Sequence, residues 1–166
     1  MANLIREQRL VDNNKRTLLK YVFISDGTTT ANSVLVDVST LRFAMNASGY
    51  IMQSNTDPKS AYRTTITRIF SVGRGNGALK LQWHGDANSE IIVIPAGSVD
   101  LSFEGLGGGV ISNPETNSTG DILLSTSNIS TGEHFTVLID LKKDARDYDA
   151  GQTADPAAFN SGNYRL

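Results

Sequence analysis

Short apolar-rich runs alternate with clusters of Gly, Asn, Ser, Thr and Asp from Thr17 to Leu141. The first run covers residues 17–25 and the last covers residues 135–141, and no segment between them has a good helical pattern. Successive short runs bounded by turn formers are typical of β-strands in a sandwich or barrel. We therefore predict an all-β fold, an antiparallel β-sandwich that is either jelly-roll-like or immunoglobulin-like.

The clearest local signal lies around the glycine-rich segment Gly73–Gly77. Residues 62–72 alternate in polarity before it, and residues 78–83 form a second run after it. Two such runs joined by a few turn residues predict a β-hairpin. The runs at residues 122–125 and 134–141 predict a final pair of strands.

The two ends of the chain differ from its centre. Residues 1–16 are mostly polar and predict an N-terminal arm, residues 17–142 predict the sandwich domain, and residues 143–166 predict a flexible C-terminal tail with little to bury. Arms and tails that become ordered on docking suit a protein that binds a larger assembly. We expect partner contacts from their apolar and aromatic side chains, Leu4, Ile5, Leu10, Val11, Tyr148, Phe159 and Tyr164.

Composition narrows the range of partners. The net charge is −2 and charged residues make up 19% of the chain, so no global basic field is present to hold a nucleic acid backbone. The absence of cysteine excludes disulfides, thiolate catalysis and Cys-based zinc sites. Charges occupy the N-terminal region where a signal peptide needs apolar residues, and no run approaches the ~18 apolar residues of a membrane span. We expect synthesis in a cytoplasm and no nucleic acid or membrane partner.

Candidate catalytic and metal-binding groups are few. His84 and Asp86 form the one pairing that suggests a hydrolase base, and with His134 they lack the spaced third ligand of a zinc site. Asp144, Asp147 and Asp149 do not match the spacing of a calcium-binding loop, so solvated tail charges are favoured. We expect no enzymatic activity, no metal and no cofactor.

Two further patterns have structural explanations. Gly73–Gly77 and Gly105–Gly109 lack the Lys and the following helix of a phosphate-binding loop, so turns between strands are favoured. Trp83 and Tyr62, with Phe70 and Phe103, suggest an aromatic platform for sugar rings. Alternation places Phe70 and Phe103 in the core, whereas Trp83 adjoins a Gly-Asp turn and is open to either interpretation.

Several segments resemble a known group of proteins. They are Arg68–Gly73, Leu81–Trp83, Val99–Gly108, Thr119–Thr126 and Thr136–Lys143. In this order they resemble small β-sandwich structural proteins of tailed bacteriophages, over about residues 17–143.

The resemblance implies a non-enzymatic virion protein. Capsid decoration, also called cement, is the first expectation, with binding to the major capsid protein or other virion proteins and to neighbouring copies of itself. A homo-oligomer is implied, and a trimer is one common arrangement. The alternatives are a tail- or fibre-associated protein and a carbohydrate-binding module.

Overall fold

A computed structural model describes residues 3–52, 57–103, 111–112 and 117–149. The described part of the chain is almost entirely antiparallel β-structure, with one short 3₁₀ helix at Val38–Thr40. The strands are β1 (Leu4–Asp12), β2 (Arg16–Asp26), β3 (Ser33–Val36), β4 (Thr64–Trp83), β5 (Ser89–Ser102), β6 (Ile111–Ser112), β7 (Ile122–Ser127) and β8 (Thr131–Lys143). The prediction of an all-β antiparallel fold is therefore confirmed.

The sheet is organised around β4. The path of paired strands runs β1-β2-β8-β4-β7-β3, and β5 and β6 also pair with β4. The first half of β4 pairs with β8, and its second half pairs with β7. The sheet curls into a half-barrel around one apolar core.

Alternation along the strands explains the core. In β2, Leu19, Tyr21 and Phe23 are buried, whereas Lys20 and Val22 between them are only half-buried. Successive side chains of a strand point to opposite faces, so the first set lines the inner face of the curled sheet. Trp83 at the end of β4 is also buried there.

The glycine-rich segment Gly73–Gly77 is a bend inside β4, so the prediction of a hairpin at this point is wrong. Gly73 pairs with Gly97 and Ala78 pairs with Pro95, which leaves four residues of β4 opposite one residue of β5. This register shift bends the strand without reversing it.

A distant carboxylate satisfies the backbone of the bend. Glu133 accepts hydrogen bonds from the backbone N–H groups of Asn76 and Gly77, at 2.7 and 3.1 Å. Since Glu133 lies more than fifty residues away, the local pattern gave no sign that it would support a bend here. The hairpin of β4 is made with β5, across residues 84–88.

The predicted final pair of strands also differs from the structure. Strands β7 and β8 are present, but in the described ladders they do not pair with each other: both pair with β4, over different lengths, β7 also pairs with β3, and β8 also pairs with β2. The bend in β4 is the cause, because it gives the two strands separate lengths of β4 to pair with.

The segment predicted as an N-terminal arm lies in the sheet over residues 4–12. Strand β1 pairs with β2 from Leu4 opposite Ile24 to Asp12 opposite Thr17. Only Ile5 packs against the core. The remaining side chains of β1 are mostly exposed, which is why the sequence resembles an arm.

The first residues of the predicted tail belong to the folded unit. Tyr148 is 0% exposed, and its hydroxyl donates to the carbonyl of Val38 at 2.8 Å. Asp147 accepts from the backbone and side chain of Arg63 at 2.9 and 3.0 Å, and both Asp147 and Asp149 are buried. Their interpretation as solvated tail charges is therefore wrong.

Candidate docking surface

The outer face of the half-barrel carries an apolar patch. We define the outer face as the side of β1, β2, β8, the first half of β4 and the paired residues 98–102 of β5 that points away from the core. Lys20 and Val22 alternate with the buried residues of β2 and therefore point outward. Because paired residues share a face, the strand register then assigns the other members of the outer face. Its apolar residues are Leu4, Val11, Leu18, Val22, Ile24, Phe70, Val72 and Leu138.

These side chains are neighbours across the strands. Leu4 pairs with Ile24, and Leu138 pairs with Phe70. Val22 and Val72 lie in one row, separated only by Thr136. Directly opposed side chains have Cβ atoms about 5 Å apart, and diagonal neighbours about 7–8 Å. Between β2 and β8 each apolar side chain opposes a polar one, so the two apolar halves of the patch meet diagonally, at Val22 and Leu138.

Several members of the patch are open to solvent. Val72 is 48% exposed, Leu4 41% and Ile24 40%. An antiparallel sheet with one solvated face normally alternates apolar and polar residues, with the polar ones outward. A contiguous apolar patch in that position is typical of a protein–protein contact.

Charged groups on the outer face are mostly cations. Six basic side chains and two carboxylates give it a formal charge of +4, whereas the chain carries −2. The basic residues are Arg6, Arg16, Lys20, Arg68, Arg74 and Lys142, and the acidic residues are Asp100 and Asp140.

Two of these cations are bound to the two carboxylates. Arg68 makes two hydrogen bonds to Asp100, at 2.7 and 2.9 Å, and this bond raises the pKa of Arg68 and lowers that of Asp100. Arg16 binds both oxygens of Asp140. The other four cations have no ion pair to a carboxylate within the described ranges. They are Arg6, Lys20, Arg74 and Lys142.

The structure places the predicted partner residues in different parts of the fold. Leu4 and Val11 belong to the outer face. Ile5 points to the core side, and Leu10 lies at a register shift of β1. Tyr148 is buried in the core, so its prediction as a partner contact is corrected. Phe159 and Tyr164 lie outside the described residues.

Sequence reasoning missed most of the apolar patch. Three of its members, Val22, Val72 and Leu138, come from strands that are far apart in the sequence. Residues 17–25 contain a signal for this patch, because apolar residues occupy both the odd- and the even-numbered positions of the strand, which point to opposite faces. Such a strand is apolar on both faces, although it belongs to an antiparallel sheet.

Both long edges of the sheet oppose strand addition. Strand β1 has a register shift at Leu10, and Arg9 bonds Glu7 at 2.8 Å and the carbonyl of Thr40 at 2.9 Å. Strand β5 contains Pro95, which has no N–H to donate, and two register shifts. Charges, bulges and proline are the usual protection of an edge strand. The outer face is therefore a better docking surface than either edge.

The His84–Asp86 pairing that the sequence suggested as an alternative is not formed among the described residues. The Nδ1 atom of His84 lies 3.1 Å from the hydroxyl of Thr119, which donates to Asp121 at 2.8 Å. Asp86 instead accepts from the side-chain amide of Asn117. Asp121 also accepts from the backbone of Val38 at 3.0 Å. This network connects the loop before β7 to the end of β4 and to the 3₁₀ helix.

The suggested aromatic platform is not present. Trp83 and Tyr62 are buried, and the Tyr62 hydroxyl donates to the carbonyl of Met45 at 2.8 Å. Phe103 is half-buried against the core, whereas Phe70 is half-buried on the outer face. The prediction of Phe70 as a core residue is therefore wrong.

The acidic residues near the end of the described chain are held by cations of the chain. The side-chain hydrogen bond from Arg146 lowers the pKa of Asp144 to about 2. Asp147 contacts Lys59 and Arg63. Among the described residues, no group of three or more His, Asp or Glu side chains is placed to hold a metal ion. The same part of the chain has no helix with the length and apolar character needed to cross a membrane.

Comparison with known proteins adds no relative to this description. No family model, no curated protein and no solved structure matches the chain.

Proposed function

We propose that this protein is a non-enzymatic virion structural protein, a capsid decoration protein that docks on the surface of the major capsid protein. The outer face is the observation that supports the proposal. It is an apolar patch with cations that lack an ion pair in the described ranges, built on a sheet whose two long edges, β1 and β5, are protected. A decoration protein needs such a contact surface and no catalytic group.

Repetition makes a modest contact sufficient. A shell presents many equivalent positions, and neighbouring copies that also touch each other gain from multivalency. The finer architecture that we propose is a β-sandwich, in which the two halves of the curled sheet act as its two layers. The bend at Gly73–Gly77 then carries β4 from one layer to the other.

Co-sedimentation with empty capsid shells of tailed bacteriophages tests the function. We expect the full chain to sediment with shells and the Val72→Asp variant to remain in the supernatant, because the new carboxylate replaces the most exposed side chain of the apolar patch. Val93→Asp is the matched control. Val93 is 45% exposed, close to the 48% of Val72, but lies on β5 beside Lys80, outside the outer face.

Two results oppose the proposal. Equal loss of shell binding in both Asp variants shows that the outer face has no special role. The absence of shell binding by the unmodified chain across a broad panel of shells argues against decoration itself. Thermal unfolding of each variant, compared with the unmodified chain, shows whether a loss of binding reflects a loss of folding.

A further inference from the structure

The charge of the outer face limits what it can bind. It carries +4 in a chain of net charge −2. A second copy that presented the same face would bring two such surfaces together, and like charges across an interface are costly. The occupant of the outer face is therefore a surface of a different kind.

We infer that the outer face binds a protein surface with an apolar centre and a rim of Asp and Glu carboxylates. This inference rests on the proposed function, because it names the chemistry of the surface on which the protein docks. Complementary charge at the rim and apolar contact at the centre are the usual arrangement of a specific protein interface.

The positions of the cations support this match. Arg6 pairs directly with Val22 at the β1 side of the patch. Arg74 lies two residues beyond Val72 on the same face of β4. Arg6 therefore ends the row that contains Val22 and Val72 on its β1 side, and Arg74 lies in the adjacent row, opposite His134. Both arginines are exposed, so carboxylates of a partner can reach them.

The same face fits lipid or nucleic acid less well. It includes the carboxylates of Asp100 and Asp140, which would repel the phosphates of either partner. Its single Phe, Tyr or Trp side chain among the described residues is Phe70, which is half-buried. Single-stranded nucleic acid is usually held by exposed stacking aromatics, and membrane-interface sites are rich in Trp and Tyr.

Two designed peptides test the chemistry directly. Each is an amphipathic helix with one Leu stripe, flanked by Glu in the first peptide and by Lys in the second. With the full ¹⁵N-labelled chain, we expect the Glu-flanked peptide to shift the backbone amides of β2, β8 and the first half of β4. The Lys-flanked peptide is expected to leave them unchanged. Equal binding of both peptides, or no binding of the Glu-flanked peptide, overturns the inference.

Charge reversal supplies the second measurement. The double variant Arg6→Glu with Arg74→Glu is expected to weaken binding of the Glu-flanked peptide by roughly tenfold, since each exposed ion pair contributes up to about 1 kcal/mol. Lys15→Glu, in the turn between β1 and β2, reverses one charge at an exposed site, which is half of the change in the double variant, and should have little effect. If all variants bind the Glu-flanked peptide equally weakly, the effect comes from the net charge of the protein and not from the outer face, and the inference is overturned.

Lipid and nucleic acid are tested as separate probes. The probes are phosphatidylglycerol vesicles and a single-stranded oligothymidylate. If the protein binds one of them more tightly than the Glu-flanked peptide, and the double variant loses that binding, the inference is overturned in favour of a lipid or a nucleic acid partner, respectively. The double variant is also tested with capsid shells. If it still binds shells, and does so at high salt, the inference of a carboxylate rim on the partner is overturned, but the proposed decoration function stands. Peptide binding without shell binding supports the inference about the surface and counts against the virion function.

Discussion

The ammonium group of Lys143 is hydrogen-bonded to the carboxylate of Asp12, although 131 residues separate them in the sequence. The Lys143 side chain is 0% exposed and that of Asp12 is 10% exposed. Lys143 also donates to the carbonyls of Asn13 and Arg42, at 2.8 and 2.7 Å. The pair therefore joins the last strand, the β1–β2 turn and the loop after the 3₁₀ helix.

Removing the carboxylate should destabilise the protein. Asp12→Asn leaves the buried Lys143 ammonium without its counter-charge, and loss of one partner of a buried pair costs roughly 3 kcal/mol or more. Urea denaturation of the variant measures this loss. Glu90→Gln is the control, because Glu90 is exposed and lies 3.8 Å from Lys80, an ion pair worth about 1 kcal/mol at most. Equal effects of the two substitutions would contradict the importance of the buried pair.

The same carboxylate predicts a pH dependence. Burial tends to raise the pKa of Asp12, but hydrogen bonds from Lys143 and from the backbone of Arg42 outweigh it and lower the pKa below its usual 3.8. A carboxyl whose pKa is lower in the folded state stabilises the fold above the unfolded pKa, and loses this contribution as the pH falls through the folded value.

Stability measured against pH tests this sign. The difference in free energy of unfolding between the unmodified chain and Asp12→Asn should stay constant from about pH 7 to pH 5. It should shrink below pH 3.8, where Asp12 takes up a proton and becomes neutral like Asn. A difference that grows on acidification contradicts the assigned shift.

Residues 143–149 form part of the folded unit, and truncation should reveal this. The Tyr148 ring packs against Tyr62, with ring centres 5.6 Å apart, and burial raises the pKa of Tyr148. A chain that ends at Asp149 should fold, whereas a chain that ends at Lys142 should lose several kcal/mol, as expected for removal of a buried aromatic side chain and a buried cation. Circular dichroism during thermal unfolding compares the two. If the two truncated chains melt at the same temperature, residues 143–149 do not contribute to the fold, as the prediction of a flexible tail implies.

A single hydroxyl tests the same contact more finely. Tyr148→Phe removes the hydrogen bond to the Val38 carbonyl and should cost about 1 kcal/mol. Tyr50→Phe is the matched substitution at an exposed tyrosine and should change stability by less than about 0.5 kcal/mol. Identical unfolding curves for both variants would show that the buried hydroxyl contributes nothing.

Local patterns in the sequence predict the strands well and their partners poorly. The apolar runs at residues 17–25 and 135–141 lie in β2 and β8, because alternation and strand-forming residues act locally. The use of Gly73–Gly77 as a bend depends on Glu133, which only the folded chain brings near. The burial of Asp147 and Tyr148 likewise depends on Arg63 and Val38, so the sequence of this polar segment alone predicts a tail.

The outer face shows the same limit. Each apolar side chain in it is an ordinary strand residue in the sequence, and Val22, Val72 and Leu138 come from three different strands. Only the strand order makes them neighbours. A docking surface built across strands in this way leaves no motif in the chain.

The bend in β4 depends on the lack of a side chain at Gly75. Its φ angle is +137°, and a Cβ atom there would lie 2.3 Å from the carboxyl carbon of Glu133. Gly97 has a similar φ of +114° but nothing within 4 Å of such a Cβ. Both Gly→Ala variants should pay about 1–3 kcal/mol for backbone strain, and Gly75→Ala should lose about 1–3 kcal/mol more through the overlap. Urea denaturation of the two variants distinguishes the cost of the steric overlap with Glu133 from the cost of backbone strain. Equal losses would mean that Glu133 moves aside freely and does not hold the bend.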